Sequence, residues 1–213
     1  MTVDFGIEDD APEVKPKDFD LQFFLKNTNQ HFRTEAEFRT WVRSGLRSAF
    51  WNDHPVKMEF LKLNKVKIPN PSPNPRKGAE LIWGYECNIC GCQMRATPTK
   101  YEKKQYEVDH MVGENSLKSL DDFVDYFKNL VFVTSQDLQI LCKPCHGIKT
   151  YMERYNVTWN KAAATKRAKQ AMKDLTYKSE LAKFGYTETM TKVDSEKALI
   201  LLYEQELNGG DSG

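Results

Sequence analysis

Apolar residues at Phe38, Trp41, Val42, Leu46, Ala49 and Phe50 recur at helical spacing and predict a helix within residues 30–52. Thr34, with Glu37 three residues later, resembles a capping box at its start. Residues 68–78, IPNPSPNPRKG, break regular structure and read as a loop between an N-terminal helical part and a core beginning near Ala79. From 80 to 112 the pattern is strand-like. Residues 121–130 read as a short helix, and LQILCKPCHGIKTYMERYN as a short apolar strand running into a helix. Residues 158–183, rich in Ala and Lys, predict one long helix, and the stretch after it two further short ones. The expected fold class is therefore α+β, mainly helical.

Composition adds a packed core and a highly charged surface, with 40% hydrophobic and 29% charged residues. The opening twenty residues are acidic and proline-bearing, and 1–29 is expected to form a mobile arm. No apolar run is long enough to span a bilayer and no secretory signal is evident, so a cytoplasmic protein without a membrane partner is expected. The formal net charge of +1 hides segregation. Bases gather at 39–47, 57–67, 100–104 and 161–173, and local basic surface is what neutralises phosphates.

Four of the five cysteines form two knuckles, Cys87-x-x-Cys90 and Cys142-x-x-Cys145. A reducing compartment disfavours disulfides, whereas two such knuckles supply four thiolates for a tetrahedral zinc ion. Four thiolates leave no open position for water, so this zinc is expected to be structural, clamping two distant segments. A redox pair or unrelated buried thiols are the other readings. Cys92 is expected to be a free thiol, with exchange for Cys90 as the alternative. Residues 91–141 separate the knuckles, and this insert carries Asp109-His110.

YEVDHMV, followed by DLQILCKPCHGIKT, resembles the HNH nucleases, most closely those of tailed bacteriophages. The resemblance covers about residues 80–152. It implies a ββα-metal finger stapled by the four-cysteine zinc site and flanked by N- and C-terminal helices. Strand one would carry Val108, Asp109 and His110, strand two would run over 137–141, and the helix would start near Pro144. The implied divisions are a mobile arm (1–29), a basic helical region with its Pro-rich loop (30–78), the zinc-stapled nuclease core (79–155), a helical DNA- or partner-binding region (156–208) and a disordered tail (209–213).

In the roles the resemblance implies, His110 is the general base for an attacking water. Asp109 points to the opposite side of the strand, because side chains alternate. Asp109 and His146 would hold a catalytic Mg²⁺ or Mn²⁺. The family's middle Asn falls at Asp137, which accepts hydrogen bonds but donates none when ionised. Either Asp137 accepts the His110 ring N–H, or that role has moved.

Double-stranded DNA is the implied partner. Arg39, Arg43 and Arg47 recur every four residues, which reads as a solvated face or, beside a nuclease site, as a phosphate-contacting one. Lys118 follows the active-site strand and reads as a phosphate contact or part of a polar turn, and Lys149, one turn past His146, as a phosphate contact or a solvated surface lysine. Lys161, Lys166, Arg167 and Lys169 mark a helix that tracks DNA backbone or an ordinary exposed helix. The phage resemblance further implies the host bacterial cytoplasm, a monomer or weak dimer, and a role in packaging beside a terminase or in homing or exclusion. Two rivals stand beside this reading: a zinc-stapled DNA-binding protein without catalysis, and a nuclease acting on RNA or branched DNA.

Overall fold

The computed structural model describes residues 25–26, 31–100, 102–112, 117, 119–186 and 190–209. The expected tail beyond 209, most of the expected N-terminal arm, and Lys118 lie outside the described residues. The chain divides into two compact units, residues 1–45 and 46–213. The fold class is α+β and mainly helical. Among the described residues, no helix is long and apolar enough to cross a membrane.

In the first unit, helix α1 (Glu35–Leu46) fills most of the predicted helix. Thr34 caps it by accepting the Glu37 N–H at 3.2 Å, while the Glu37 carboxylate accepts the Arg33 N–H at 2.8 Å. Phe32, Phe38 and Trp41 cluster, their ring centroids 5.2–6.1 Å apart. Arg39 lies beside Glu35 at 3.6 Å.

The second unit opens with a π-helical turn, Arg47–Trp51. Such turns are rare and concentrate at functional sites. Helix α2 (Pro55–Leu63) follows, with Pro55 at a position where its missing N–H costs nothing. Lys57 in α2 is buried, and its ammonium donates to the carbonyls of Trp51 and Asn52, both at 3.1 Å. Burial and the charge of Lys104 hold its pKa below the usual lysine value. This lysine of the basic 57–67 stretch therefore ties down the end of the π-turn.

Strands β1 (Val66–Pro69), β2 (Leu81–Glu86) and β3 (Gln93–Arg95) form an antiparallel sheet in the order β1-β2-β3. This corrects the expectation that the core begins near Ala79. The proline-rich segment is a hairpin loop inside that sheet, closed by the Asn70 N–H donating to Glu80 at 2.8 Å. Helical and strand signals were both weak over the four residues of β1, and the prolines masked the pairing.

A second sheet pairs β4 (Tyr106–His110) with β5 (Leu138–Cys142), antiparallel, with His110 opposite Leu138 and Asp109 opposite Gln139. Between them lies helix α3 (Phe123–Val131). Helix α4 (Lys143–Tyr155) follows β5 without a break and packs on both strands. The rings of Tyr85 and Tyr106, tilted by 55° with centroids 4.6 Å apart, join the two sheets.

Helices α5 (Trp159–Lys173), α6 (Tyr177–Lys183) and α7 (Lys192–Gly209) form the C-terminal module. Its core is Ala164, Ala168, Ala171, Leu181, Leu199 and Tyr203. The expected single helix over 158–183 is in fact two. Leu175 adopts φ 60°, and the Thr176 N–H reaches back to the Ala171 carbonyl at 2.9 Å, closing the helix end. Glycine usually marks such a turn; a leucine here left no signal in the sequence.

Candidate functional site

The first knuckle is a tight turn. The Cys87 N–H donates to the Cys92 carbonyl and the Gly91 N–H to the Cys87 carbonyl, both at 2.9 Å. Gly91 takes φ 68°, a left-handed conformation that costs glycine little. Asn88 fastens this turn to β5: its N–H donates to Ile140 O at 2.8 Å, and its side-chain oxygen accepts the Ile140 N–H at 2.6 Å. The second knuckle spans the junction of β5 and α4, where the Cys142 sulfur caps the helix by accepting the Cys145 N–H at 3.4 Å.

These two turns bring the sulfurs of Cys87, Cys90, Cys142 and Cys145 within 4.8 Å of one another. The Cys90 and Cys142 sulfurs are 3.8 Å apart. Thiolates about 2.3 Å from a tetrahedral zinc lie about 3.8 Å apart along each edge, so the cluster is compatible with a structural zinc ion. Three of the four are buried. Burial pushes the Cys87 thiol up, but N–H groups of Cys90, Cys142 and Ile89 donate to its sulfur and bring it down to about 6. Burial pushes the Cys145 thiol up as well, and the crowded sulfurs of Cys142 and Cys90 push it further. Four thiolates at this spacing repel strongly without a cation among them. Cys92 stands outside the four.

Beside the cluster, β4 presents alternating faces. Tyr106, Val108 and His110 are buried, whereas Glu107 and Asp109 are half-exposed. His110 faces inward, and its ring stacks on Trp51 with centroids 4.4 Å apart and planes inclined by 29°. Asp109 faces α4. Its Oδ1 lies 3.7 Å from His146 Nε2, and its Oδ2 accepts from Lys149 Nζ at 2.9 Å. The Asp109 and His146 side chains are 19% and 34% exposed.

The expectation that Lys149 meets phosphate needs correcting. Its ammonium points inward and donates to Glu153 Oε1 at 2.6 Å, the His110 carbonyl at 2.8 Å and Asp109 Oδ2. Burial alone would lower its pKa; the bonds to Glu153 and Asp109 outweigh burial and raise it. Gln139 serves the same two groups from β5, donating to the His110 carbonyl at 3.3 Å and to Asp109 Oδ2 at 3.4 Å.

Asp137 does not orient His110 with its carboxylate. It closes a capping box around the turn Ser135–Asp137, accepting from the Thr134 N–H at 2.7 Å and the Thr134 hydroxyl at 2.8 Å. These bonds hold its carboxyl below the usual carboxylate range, with the His110 charge a minor contributor. Its tie to the strand end is through the main chain, where the Met111 N–H donates to the Asp137 carbonyl at 2.7 Å.

The basic candidates divide. Arg39 and Arg43 belong to the first unit and Arg47 to the second, where its Nε donates to the Tyr126 hydroxyl at 3.4 Å. Lys161 pairs with Glu204 at 2.9 Å, and Arg167 pairs with Glu206 at 2.8 Å while lying over the Tyr203 ring. Lys166 and Lys169 are exposed and sit 5.6 and 5.4 Å from the Tyr151 centroid. Sequence reasoning missed Trp51, Asn88 and Gln139, which act through packing and pairing that no local motif announces.

Compared with protein-family models, curated proteins and solved structures, the chain gives no match.

Proposed function

We propose that the chain is an HNH-type endonuclease that hydrolyses DNA phosphodiester bonds, with β4, β5 and α4 as its ββα finger. The observation that carries this reading is the convergence of Asp109 and His146, from a strand end and a helix, to 3.7 Å beside a four-cysteine cluster. Two partly exposed protein ligands would suit a hard, partly hydrated cation. A bound Mg²⁺ or Mn²⁺ supplies charge stabilisation for the scissile phosphate and the departing oxygen.

The chain's own residues do the rest. Asp109 and His146 set where the phosphate lies. His110 accepts the proton of the attacking water at a ring nitrogen, while Trp51 packs against one face of the ring. The carbonyl of His110, held by Lys149 and Gln139, fixes the base relative to Asp109. The four-cysteine site, filled by zinc, keeps strand and helix in register.

A plasmid-nicking assay with Mg²⁺ or Mn²⁺ tests the reading. Wild type is expected to nick, and His110→Ala to lose at least about a hundredfold in rate while still binding DNA. A silent wild type that binds DNA as well as His110→Ala does would overturn it. That outcome supports the second reading, a zinc-stapled DNA-binding protein without catalysis. The observation favouring that rival is the burial of His110 at 5% exposure.

A further inference from the structure

The Lys149 ammonium has three N–H donors and three oxygen partners: Glu153 Oε1, the His110 carbonyl and Asp109 Oδ2. Its side chain is 8% exposed. A buried ammonium is tolerated when it is fully bonded and its charge is met, and both conditions hold here. The Asp109 carboxylate is divided among three neighbours, with Gln139 donating to the same oxygen as Lys149. One oxygen faces His146, and the other is already engaged by a positive charge. Glu153, four residues along the same helix from Lys149, draws on that charge from the opposite side.

We infer that Lys149 is a resident cation of the site, a positioning residue that sets how strongly the site takes up a divalent ion. It holds the Asp109 carboxylate and the end of β4 in place before the ion arrives. Once the ion is bound, the ammonium competes with it for the charge on Asp109. Glu153 tunes that competition, because the more of the ammonium's charge it offsets, the more of Asp109 is left for the ion. The catalytic side of this inference rests on the nuclease reading; the ion-binding side does not involve DNA.

Two features make the inference testable by opposite signs. Removing the ammonium removes a like charge from the ion's neighbourhood, so uptake should tighten even though a stabilising contact is lost. Neutralising Glu153 leaves the ammonium's charge to fall on Asp109, so uptake should weaken. A lysine with only a structural role predicts no such pair, since losing either partner would loosen the site or leave it unchanged. Gln139 still donates to both Asp109 and His110 after Lys149 is truncated, which favours a folded Lys149→Met protein. Glu153 is 37% exposed, so Glu153→Gln is expected to fold in any case.

The experiment is a titration of the zinc-loaded full chain with Mn²⁺, reading free Mn²⁺ by electron paramagnetic resonance, without DNA. Lys149→Met is expected to bind Mn²⁺ at least about tenfold tighter than wild type, and Glu153→Gln about threefold or more weaker. In the nicking assay, Lys149→Met should lower kcat and leave KM for DNA unchanged, because the ammonium does not reach the surface. If wild type binds Mn²⁺ but Lys149→Met binds it no tighter, or Glu153→Gln binds it equally well, this inference fails and the nuclease reading stands. If wild type, Lys149→Met and His146→Ala all fail to bind Mn²⁺, the nuclease reading fails and takes this inference with it. Binding by Lys149→Met where wild type shows none supports the inference.

Discussion

In the α5–α7 module the buried hydrophobic cluster is Ala164, Ala168, Ala171, Leu181, Leu199 and Tyr203, with Thr165 and Ser195 as its buried polar residues. Around β4, β5 and α4 the buried positions include Cys87, Cys142, Cys145, His110 and Lys149. The helical module is held by apolar burial, with small alanines letting α5 lie close against α7. The strand-and-helix core has short strands, and its interior holds cysteines, a histidine and a lysine beside its apolar residues. Such an interior needs satisfied charges, and its four clustered cysteines are compatible with a structural zinc ion. The region that carries the candidate chemistry is thus the one whose fold is expected to depend on a bound cation.

The largest effect should come from breaking that dependence. Zinc chelation, or Cys142→Ser, is expected to cost the core on the order of 10 kcal/mol of metal-linked folding energy. Cys142 is a fitting target because its sulfur also caps α4. Hydrogen exchange should show protection lost across residues 81–155 and kept in α5 and α7. Simultaneous loss in both regions would mean that the module borrows its stability from the core.

The converse experiment is smaller. Leu199 is fully buried in the module core. Leu199→Ala should cost about 2–5 kcal/mol through lost transfer energy and the cavity left behind. Urea unfolding should show the loss in a transition belonging to α5–α7. Zinc content, measured by atomic absorption, should stay at the wild-type value. A fall in zinc content would show that the two regions fold as one.

How much of this was legible in the sequence follows the same division. The knuckles, the Asp-His pair and the helix around Cys145 are local patterns visible in the sequence, and the structure brings Asp109 together with His146 and the four cysteines with one another. The inward lysines were not legible. Lys57 and Lys149 look like surface bases in a string of letters, and only the carbonyls and carboxylates that meet them in three dimensions reveal otherwise. The helix end at Leu175 was hidden because a leucine occupies a conformation that glycine normally announces. Strand β1 was hidden because its partner lies across a proline-rich loop.

Asp137 carries the smallest expected effect and the finest distinction. Its carboxylate bonds Thr134, an exposed turn at the entrance to β5, and not the imidazole it was expected to orient. Its folded pKa is depressed below the ordinary 3.8, so its contribution to stability is present above that value and is lost as pH falls through the folded one. Asp137→Ala should therefore lower the urea midpoint slightly at pH 7, and the difference from wild type should vanish in strong acid. Asp137→Asn keeps an acceptor for the Thr134 N–H and should lie between the two. Nicking by Asp137→Asn should stay within a fewfold of wild type, because the Met111 N–H bonds the Asp137 carbonyl, which the substitution leaves in place. A loss as deep as that of His110→Ala, with an unchanged urea midpoint, would instead mean that the carboxylate leaves Thr134 and acts on the imidazole during the reaction.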